Sequence, residues 1–433
     1  MRTTSLVFTL YNFLFVPLLK LTFIIGAPFN KKLKQGLKGR DNYFPKLTEA
    51  LSPYVNRTKR ILIHASSVGE WEQAVPLIDL IKKEDPSALI VVTFFSPSGF
   101  NFVKNYANID VKCYLPIDTR SNAFKLFNVV KPTLWIISKF DIWPNHLRVA
   151  HAMNIKIVIT AATLSSNSKR TKGIHGILSK ECYKTIDHIF AISMIDAQRF
   201  YKLIGDNNKI SITGDTRFDR VYEKAMQSRK LPDVQIFQSQ PTVSIIAASI
   251  WPADEKIVLP ALSKLMHEFP QLKLILVPHE LHETHIKALE KHFEIEKHKT
   301  ERYSSFKNIG GTTNRIAIVD TVGLLARIYR QTNLAYVGGS FSTGVHNVME
   351  PAIFEQPVIF GPVYQNSFEA MQLIEKNLAQ SIQNTSECYT QLKQLIENAT
   401  ERESKGKASA EFIKSNLGAA QITFNALKTK LFL

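Results

Sequence analysis

The chain has 433 residues, 45% hydrophobic and 21% charged, a balance that excludes an intrinsically disordered polypeptide and leaves room for two or three domains. Lys and Arg outnumber Asp and Glu by 54 to 37, a formal charge of +17, which calls for polyanionic company: nucleic acid, an anionic membrane surface or phosphorylated substrates. The basic residues are spread over the whole length with no zinc-finger or RNA-recognition signature, which argues against nucleic acid, and three dispersed cysteines (Cys113, Cys182 and Cys388) in no CxxC spacing argue against a disulfide framework or a structural zinc site.

Leu6 to Ala27 is the strongly apolar stretch, interrupted by Pro17 and Lys20 and followed by Lys31, Lys32, Lys34, Lys38 and Arg40. A cleaved signal peptide would need an A-x-A-like site, which is missing, and its basic residues would come first. A spanning helix would bury Lys20 near its centre at a cost of about 3 kcal/mol. A helix lying in the membrane interface, with Lys20 snorkelling and the basic flank on anionic headgroups, accounts for both features. A buried core helix is the competing reading.

From about residue 60 short β-rich runs alternate with helix-length segments. The runs are 60–66, 88–95 (followed by a turn-prone SPSG), 111–116, 133–138, 155–162 and 188–193. Continuous apolar strands separated by helices predict a parallel sheet covered on both faces. A charged, Pro-containing stretch at 228–241 reads as an inter-domain linker. The pattern then restarts with runs at 242–249, 273–279, 316–320, 334–339 and 357–362. The expected organisation is an N-terminal membrane-associated segment (1–40), a Rossmann-like domain (41–227), the linker and a second Rossmann-like domain (242–433). The two doubly wound α/β domains are expected to face a cleft, with function at the carboxyl ends of the strands.

The stretch from Tyr336 to Pro362, YVGGSFSTGVHNVMEPAIFEQPVIFGP, carries chemistry. A strand runs into Gly338, Gly339 and Ser340, where backbone N–H groups could approach a phosphate. A helix starting near Asn347 would set His346 and Asn347 at a positive N-terminus and Glu350 one turn on, in reach of a ribose diol. The competing reading is a capping box between Asn347 and Glu350.

This run, GGS…HN..EP…PV..GP, resembles the nucleotide-binding half of the Kdo (3-deoxy-D-manno-octulosonic acid) transferases of lipopolysaccharide synthesis, whose motif reads close to GGS…GGHNPLEP…PV..GP. The resemblance extends over nearly the whole chain. HASSVGEWEQA (64–74) is similar to the family's H-A-x-S-V-G-E, TFFSPSGF (93–100) to T-x-T-x-T-G, and YLPIDT (114–119) to Y-L-P-x-D. SKFDIWPNHL (138–147) is similar to E-T-E-x-W-P-N, GDTRFD (214–219) to GNLKFD, AASIWPADE (247–255) to A-S-T-H-x-G-E-E, and VDTVGLLARIY (319–329) to D-T-x-G-E-L.

The resemblance implies a GT-B type glycosyltransferase that moves Kdo from CMP-Kdo, a co-substrate, to a lipid A precursor (lipid IVA), inverting the anomeric centre with no cofactor and no metal. It implies Glu70 as general base, with Asp141 as a second acidic group. It implies donor contacts from Ser249, His279, Gly338, Gly339, Ser340, His346, Asn347, Glu350 and Arg217. The implied place is the cytoplasmic side of the inner membrane, on an anionic surface. From the residues alone, Glu70 is also a first-turn glutamate favoured by the helix dipole, and Trp143-Pro144 a packed loop anchor. Lys139 and Phe140 stand in place of the family's first glutamate and threonine, Thr163 and His279 in place of arginines, Arg217 in place of a lysine, and Val345 in place of a glycine. The rival functions are another GT-B sugar-nucleotide transferase or an epimerase, and a non-enzymatic binder of anionic membranes or nucleic acid.

Overall fold

The computed structural model describes residues 2–239 and 242–430. Met1 of the N-terminal segment, residues 240 and 241 of the expected linker and residues 431–433 of the expected second domain lie outside the described residues. The chain divides into two compact units, Met1–Arg220 with Gly418–Leu433, and Val221–Leu417.

The first unit is built on seven parallel strands: β1 (Arg60–His64), β2 (Leu89–Phe94), β3 (Val111–Tyr114), β4 (Leu134–Ser138), β5 (Lys156–Ala162), β6 (His188–Ala191) and β7 (Ile210–Ile212). Their order is β3-β2-β1-β4-β5-β6-β7. Ile61 of β1 pairs with Ile90 on one side and Leu134 on the other. The two sheet faces feed separate apolar clusters. Leu62, Val91, Trp135 and Ile137 lie in one, and Ile61, Ile63, Ile90 and Ile136 in the other. Burial on both faces is why these strands read as unbroken apolar runs.

The second unit repeats the plan with β8 (Val243–Ile250), β9 (Leu272–Pro278), β10 (Thr300–Arg302), β11 (Ile316–Ile318), β12 (Leu334–Val337), β13 (Val358–Phe360) and β14 (Ala379–Ser381), in the order β10-β11-β9-β8-β12-β13-β14, all parallel. In each sheet the order reverses beside the first strand, between β1 and β4 and between β8 and β12. Doubly wound sheets place their ligands at such switch points.

Three strands escape the sequence pattern, β7, β10 and β14. Each is three residues long and lies at a sheet edge, where only one neighbour demands apolar side chains. The SPSG stretch is not a turn. Ser96 caps a short helix, Pro97–Phe102, through its hydroxyl to the Gly99 N–H, with Pro97 at the position that lacks a needed donor.

The boundaries differ from the sequence expectation at both ends of the second unit. The stretch read as a linker begins inside a helix, Arg217–Arg229, and continues with Val234, Ile236 and Phe237 buried in the second unit's core beside Ile246 and Ala317. The last helix, Ala419–Thr429, belongs to the first unit. Its Phe424 and Leu427 join the cluster of Ile61, Trp71 and Val75, and Asp219 accepts the N–H groups of Gly418 and Ala420 at 2.7 and 2.9 Å.

The N-terminal segment is helical from Arg2 through Gly26, with a π-helical turn at Tyr11–Phe15 just ahead of Pro17. Proline removes a donor from the ladder and crowds the preceding turn, and the wider π turn absorbs both effects. Among the described residues, Leu6–Gly26 is the one helix whose length and composition suffice to cross a membrane. One face packs on the first unit through Val7, Phe8, Tyr11, Val16 and Phe23, and the other exposes Phe13, Leu14, Leu18, Ile24 and Ile25. The buried face ends in a polar clasp. Tyr11 donates to Asp118 Oδ2 at 2.7 Å, and Asp118 also accepts the N–H groups of Asn145 and His146 at 3.0 and 2.9 Å. Asn145 Nδ2 donates to Asn12 Oδ1 at 2.8 Å, so the Trp-Pro-Asn motif anchors the N-terminal helix.

Candidate active site

At the switch point of the first sheet, β1 ends in His64 and runs through Ala65 and Ser66 to Ser67, which caps the helix Val68–Glu84. Glu70 closes the capping box. Its Oε2 accepts the Ser66 N–H at 2.5 Å and the Ser67 N–H at 3.2 Å, while the Ser67 hydroxyl accepts the Glu70 N–H. The candidate base is therefore also a capping residue. Ser138, the last residue of β4, donates from its hydroxyl to the Glu70 carbonyl at 2.8 Å and fixes the turn against the neighbouring strand. A Cβ added at Gly69 would meet nothing within 4 Å, so the first turn of this helix faces open space beside Glu70.

Asp141 lies on the loop after β4. Lys139 begins that loop at φ 69°, a left-handed conformation that non-glycine residues adopt mainly where the surroundings impose it. Asp141 Oδ2 is 3.0 Å from His64 Nε2 and accepts from Trp143 Nε1 at 3.1 Å. His64 is fully buried, and its Nδ1 lies 3.0 Å from the Thr93 hydroxyl on β2. A chain of contacts thus runs from β2 through β1 to the loop after β4, with Glu70 on the turn beside it.

The two carboxylates are pushed apart. Burial raises the Glu70 pKa, and the charge of Asp141 adds to that, against opposing contributions from His64, the Ser66 N–H and Lys139. Burial also acts on Asp141, but the hydrogen bond and charge of His64, with hydrogen bonds from Ser66 and Trp143, outweigh it and hold Asp141 below the usual carboxylate range. One acid is held ionised while its neighbour is made more basic.

The matching position in the second unit is the end of β8 and the start of the loop after β12. Ser249 sits at φ 55°, so here too a non-glycine residue is held left-handed at the switch point. His279, at the end of β9, stacks on Trp251 at 4.2 Å between ring centroids, and His279 and His346 stack at 4.7 Å. Trp251 Nε1 donates to His346 Nε2 at 2.8 Å, which leaves the proton of a neutral His346 on Nδ1. Burial lowers the pKa of both histidines, and for His346 the nearby His279 lowers it further.

The glycine run differs from its expected use. The Gly338 N–H donates to the Ala248 carbonyl, and the Gly339 N–H to Asp254 Oδ2 at 2.8 Å. Asp254 also accepts from the Trp251 N–H and the Tyr336 hydroxyl, and the fully buried Ser340 hydroxyl accepts the Gly361 N–H at 2.6 Å. The N–H groups of Gly338 and Gly339 are thus engaged within the protein rather than turned to a phosphate. Gly338 is required for another reason: a Cβ there would lie 2.3 Å from the Ser249 carbonyl oxygen. Asp254 organises this loop and was missed in the sequence, where it reads as an ordinary first-turn acid after Pro252.

The helix expected near Asn347 starts at Met349 and ends at Ile353. Asn347 Oδ1 accepts the Met349 N–H at 3.0 Å and its Nδ2 donates to Glu350 Oε1 at 3.1 Å, so the two side chains are tied together without forming a capping box. Arg217 differs from the other expected donor contacts in the unit it belongs to. It belongs to the first unit, where its guanidinium forms two hydrogen bonds to the buried Asp215, at 3.0 and 2.8 Å, its backbone N–H a third, and Asp215 also accepts from Gln73. Among the described residues no group of three or more His, Cys, Asp or Glu is placed to hold a metal ion.

Two parallel, doubly wound units with their polar clusters at the switch points make a fold of the GT-B type. Residues 39–220 match the family described as 3-deoxy-D-manno-octulosonic-acid transferase (kdotransferase). The chain is 29% identical over 397 residues to the 3-deoxy-D-manno-octulosonic acid transferase of Haemophilus influenzae, covering 90% of this chain and 92% of that one. It is 26% identical over 365 residues to the enzyme of that name from Rickettsia prowazekii, covering 82% and 76%. Among solved structures, UDP-GlcNAc 2-epimerase from Neisseria meningitidis bound to UDP-GlcNAc superposes with a TM-score of 0.62 at 13% identity, covering 86% of this chain and all of that one, a likeness of fold. Residues 39–220 of the chain thus match the Kdo transferase family's domain, and the likeness to enzymes of that name over most of its length marks it as a glycosyltransferase.

Proposed function

We propose that the enzyme transfers Kdo from CMP-Kdo to a lipid A precursor, lipid IVA, in lipopolysaccharide synthesis, with inversion at the anomeric carbon. The observation that carries this reading is the divergence of Glu70 and Asp141 beside the open first turn. Glu70 takes the proton of the attacking sugar hydroxyl, whose oxygen forms the new bond to the Kdo anomeric carbon. The bond from that carbon to the CMP phosphate breaks, and its electron pair leaves with CMP. Asp141, ionised and held by His64 and Trp143, keeps Glu70 basic. No cofactor enters this scheme, since CMP-Kdo is a co-substrate.

In the second unit, Ser249, His279, His346, Asn347 and Glu350 form the donor site, with Gly338, Gly339 and Ser340 shaping its floor. The Nδ1–H of His346 suits a phosphate oxygen, and Glu350, oriented by Asn347, suits the ribose hydroxyls. The exposed apolar face of the N-terminal helix and the lysines after it hold the enzyme on the anionic cytoplasmic surface of the inner membrane.

The decisive assay offers the purified full-length protein CMP-Kdo with lipid IVA and weighs the products by mass spectrometry. A product heavier by one or more Kdo residues is expected. Turnover of UDP-sugars in place of CMP-Kdo would overturn the donor assignment.

A further inference from the structure

A cavity of about 470 Å³, open to one side, lies in the first unit between the N-terminal helix, the loop after β4 and the helix Gly173–Lys184. Its wall is apolar on all three sides: Leu10 and Leu14 from the first, Ile142 and Trp143 from the second, Ile174 and Leu178 from the third. It opens where Leu14 and Ile174 are themselves 64% and 63% exposed. A methylene fills about as much space as a water in the liquid, ~30 Å³, so the cavity has room for a chain of roughly fifteen carbons at most.

Asp141, Arg170 and His175 also border it, as do Tyr11 and Cys182. Asp141 belongs both to this wall and to the group formed with His64 beside Glu70. An occupant that fills the apolar part therefore brings its polar end to Asp141, beside Glu70. Arg170, stacked over Phe140 at 4.2 Å, offers a cation to an anionic substituent at the same rim. A wholly apolar ligand would leave these groups unanswered, and a soluble sugar would leave the apolar wall empty. The chemistry fits an amphiphile with a hydrocarbon chain, a hydroxylated head and a negative charge.

We propose that this cavity takes one hydrocarbon chain of the acceptor, an acylated and phosphorylated sugar lipid, and so positions its reacting hydroxyl at Glu70. The assignment rests on the function proposed above and adds that the N-terminal helix is one wall of the acceptor site.

Two measurements on the full-length chain separate the two claims. The first is a fluorescence titration with a dodecanoic acid carrying a nitrobenzoxadiazole label, read by quenching of tryptophan emission, Trp143 lying in the cavity wall. Wild type is expected to saturate at one probe per chain, and Ile174→Trp and Leu178→Phe, which narrow the cavity, to bind about tenfold more weakly or worse. Ile174 is exposed, so its variant tests the idea even if Leu178→Phe folds poorly. The second measurement compares Kdo transfer to the acylated acceptor and to its fully deacylated head group. The variants are expected to raise KM for the acylated acceptor alone, leaving transfer to the deacylated acceptor unchanged. Equal probe binding in wild type and variants, with equal KM on both acceptors, overturns the cavity assignment while transfer itself stands. Probe binding that the variants abolish, without Kdo transfer to either acceptor, overturns the function and keeps the cavity. Failure of both measurements overturns both.

Discussion

Glu70 sits in a turn that satisfies one of its carboxylate oxygens twice and still leaves it costly to ionise. Its pKa in the folded chain lies above that of an ordinary glutamate, because burial and Asp141 outweigh the hydrogen bonds it accepts. Folding therefore binds a proton across that window, and the stability contributed there is lost as pH rises through the folded-state pKa. At neutral pH the ionised carboxylate is a net cost. Glu70→Gln keeps an acceptor for the Ser66 and Ser67 N–H groups, so turnover is expected to fall about 100-fold or more while the melting temperature rises. Calorimetry alongside the transfer assay checks both signs. The acid limb of kcat/KM should follow Glu70, and Asp141→Asn should move that limb to lower pH by removing a negative neighbour. In the second unit, His346→Ala is expected to weaken CMP binding by roughly tenfold, as for loss of one hydrogen bond to a charged group. Wild-type affinity for CMP should rise as pH falls toward 6, since an anion favours the protonated histidines that burial keeps neutral. Titration calorimetry at several pH values reads both effects. His64 and Asp254 show what the sequence conceals at this scale. Each is quoted within a recognisable motif, but its work depends on a partner far along the chain, Asp141 for His64 and Gly339 for Asp254.

The central strands were legible because both sheet faces are covered, which leaves an unbroken apolar run. Edge strands of three residues carry too few side chains to show a period, and β7, β10 and β14 went unread for that reason. The N-terminal helix was legible as apolar, but not as two-faced, since its buried polar partners lie on Asp118 and Asn145. The sequence alone suggests that a chain starting near Asn42 should fold undisturbed. The structure predicts otherwise: such a truncation uncovers Phe8's place in the core and strips Asp118 of Tyr11, so lower stability is expected. Tyr11→Phe isolates the clasp and should cost about 1.5–3 kcal/mol in denaturant unfolding, as for a hydrogen bond to a charged group. The outer face can be tested without touching the clasp. Phe13 and Leu18 are 76% and 61% exposed, and replacing both with Ser should leave the melting temperature unchanged while reducing co-sedimentation with anionic vesicles. Unchanged sedimentation would remove this face from membrane attachment.

At the scale of the whole molecule the chain builds most of the first unit, then all of the second, and returns to finish the first with Ala419–Thr429. Removing that last helix takes Phe424 and Leu427 from their cluster and should cost the first unit roughly 3–6 kcal/mol, the burial of two large apolar side chains. Differential scanning calorimetry should show one transition shifted down and the other, from Val221–Leu417, in place. The returning helix also sets an order of events during synthesis. The second unit is contiguous and can close as soon as its own residues have left the ribosome, whereas the first waits for the final helix. At ~5–20 residues per second, the roughly 200 residues of the second unit take about 10–40 s to make. Through that interval the surface of Val68–Glu84 that will receive Phe424 stays open on the nascent chain, one turn away from Glu70. A chaperone that recognises exposed apolar surface has its longest opportunity there, and the turn that carries Glu70 is among the last parts of the first unit to be fixed.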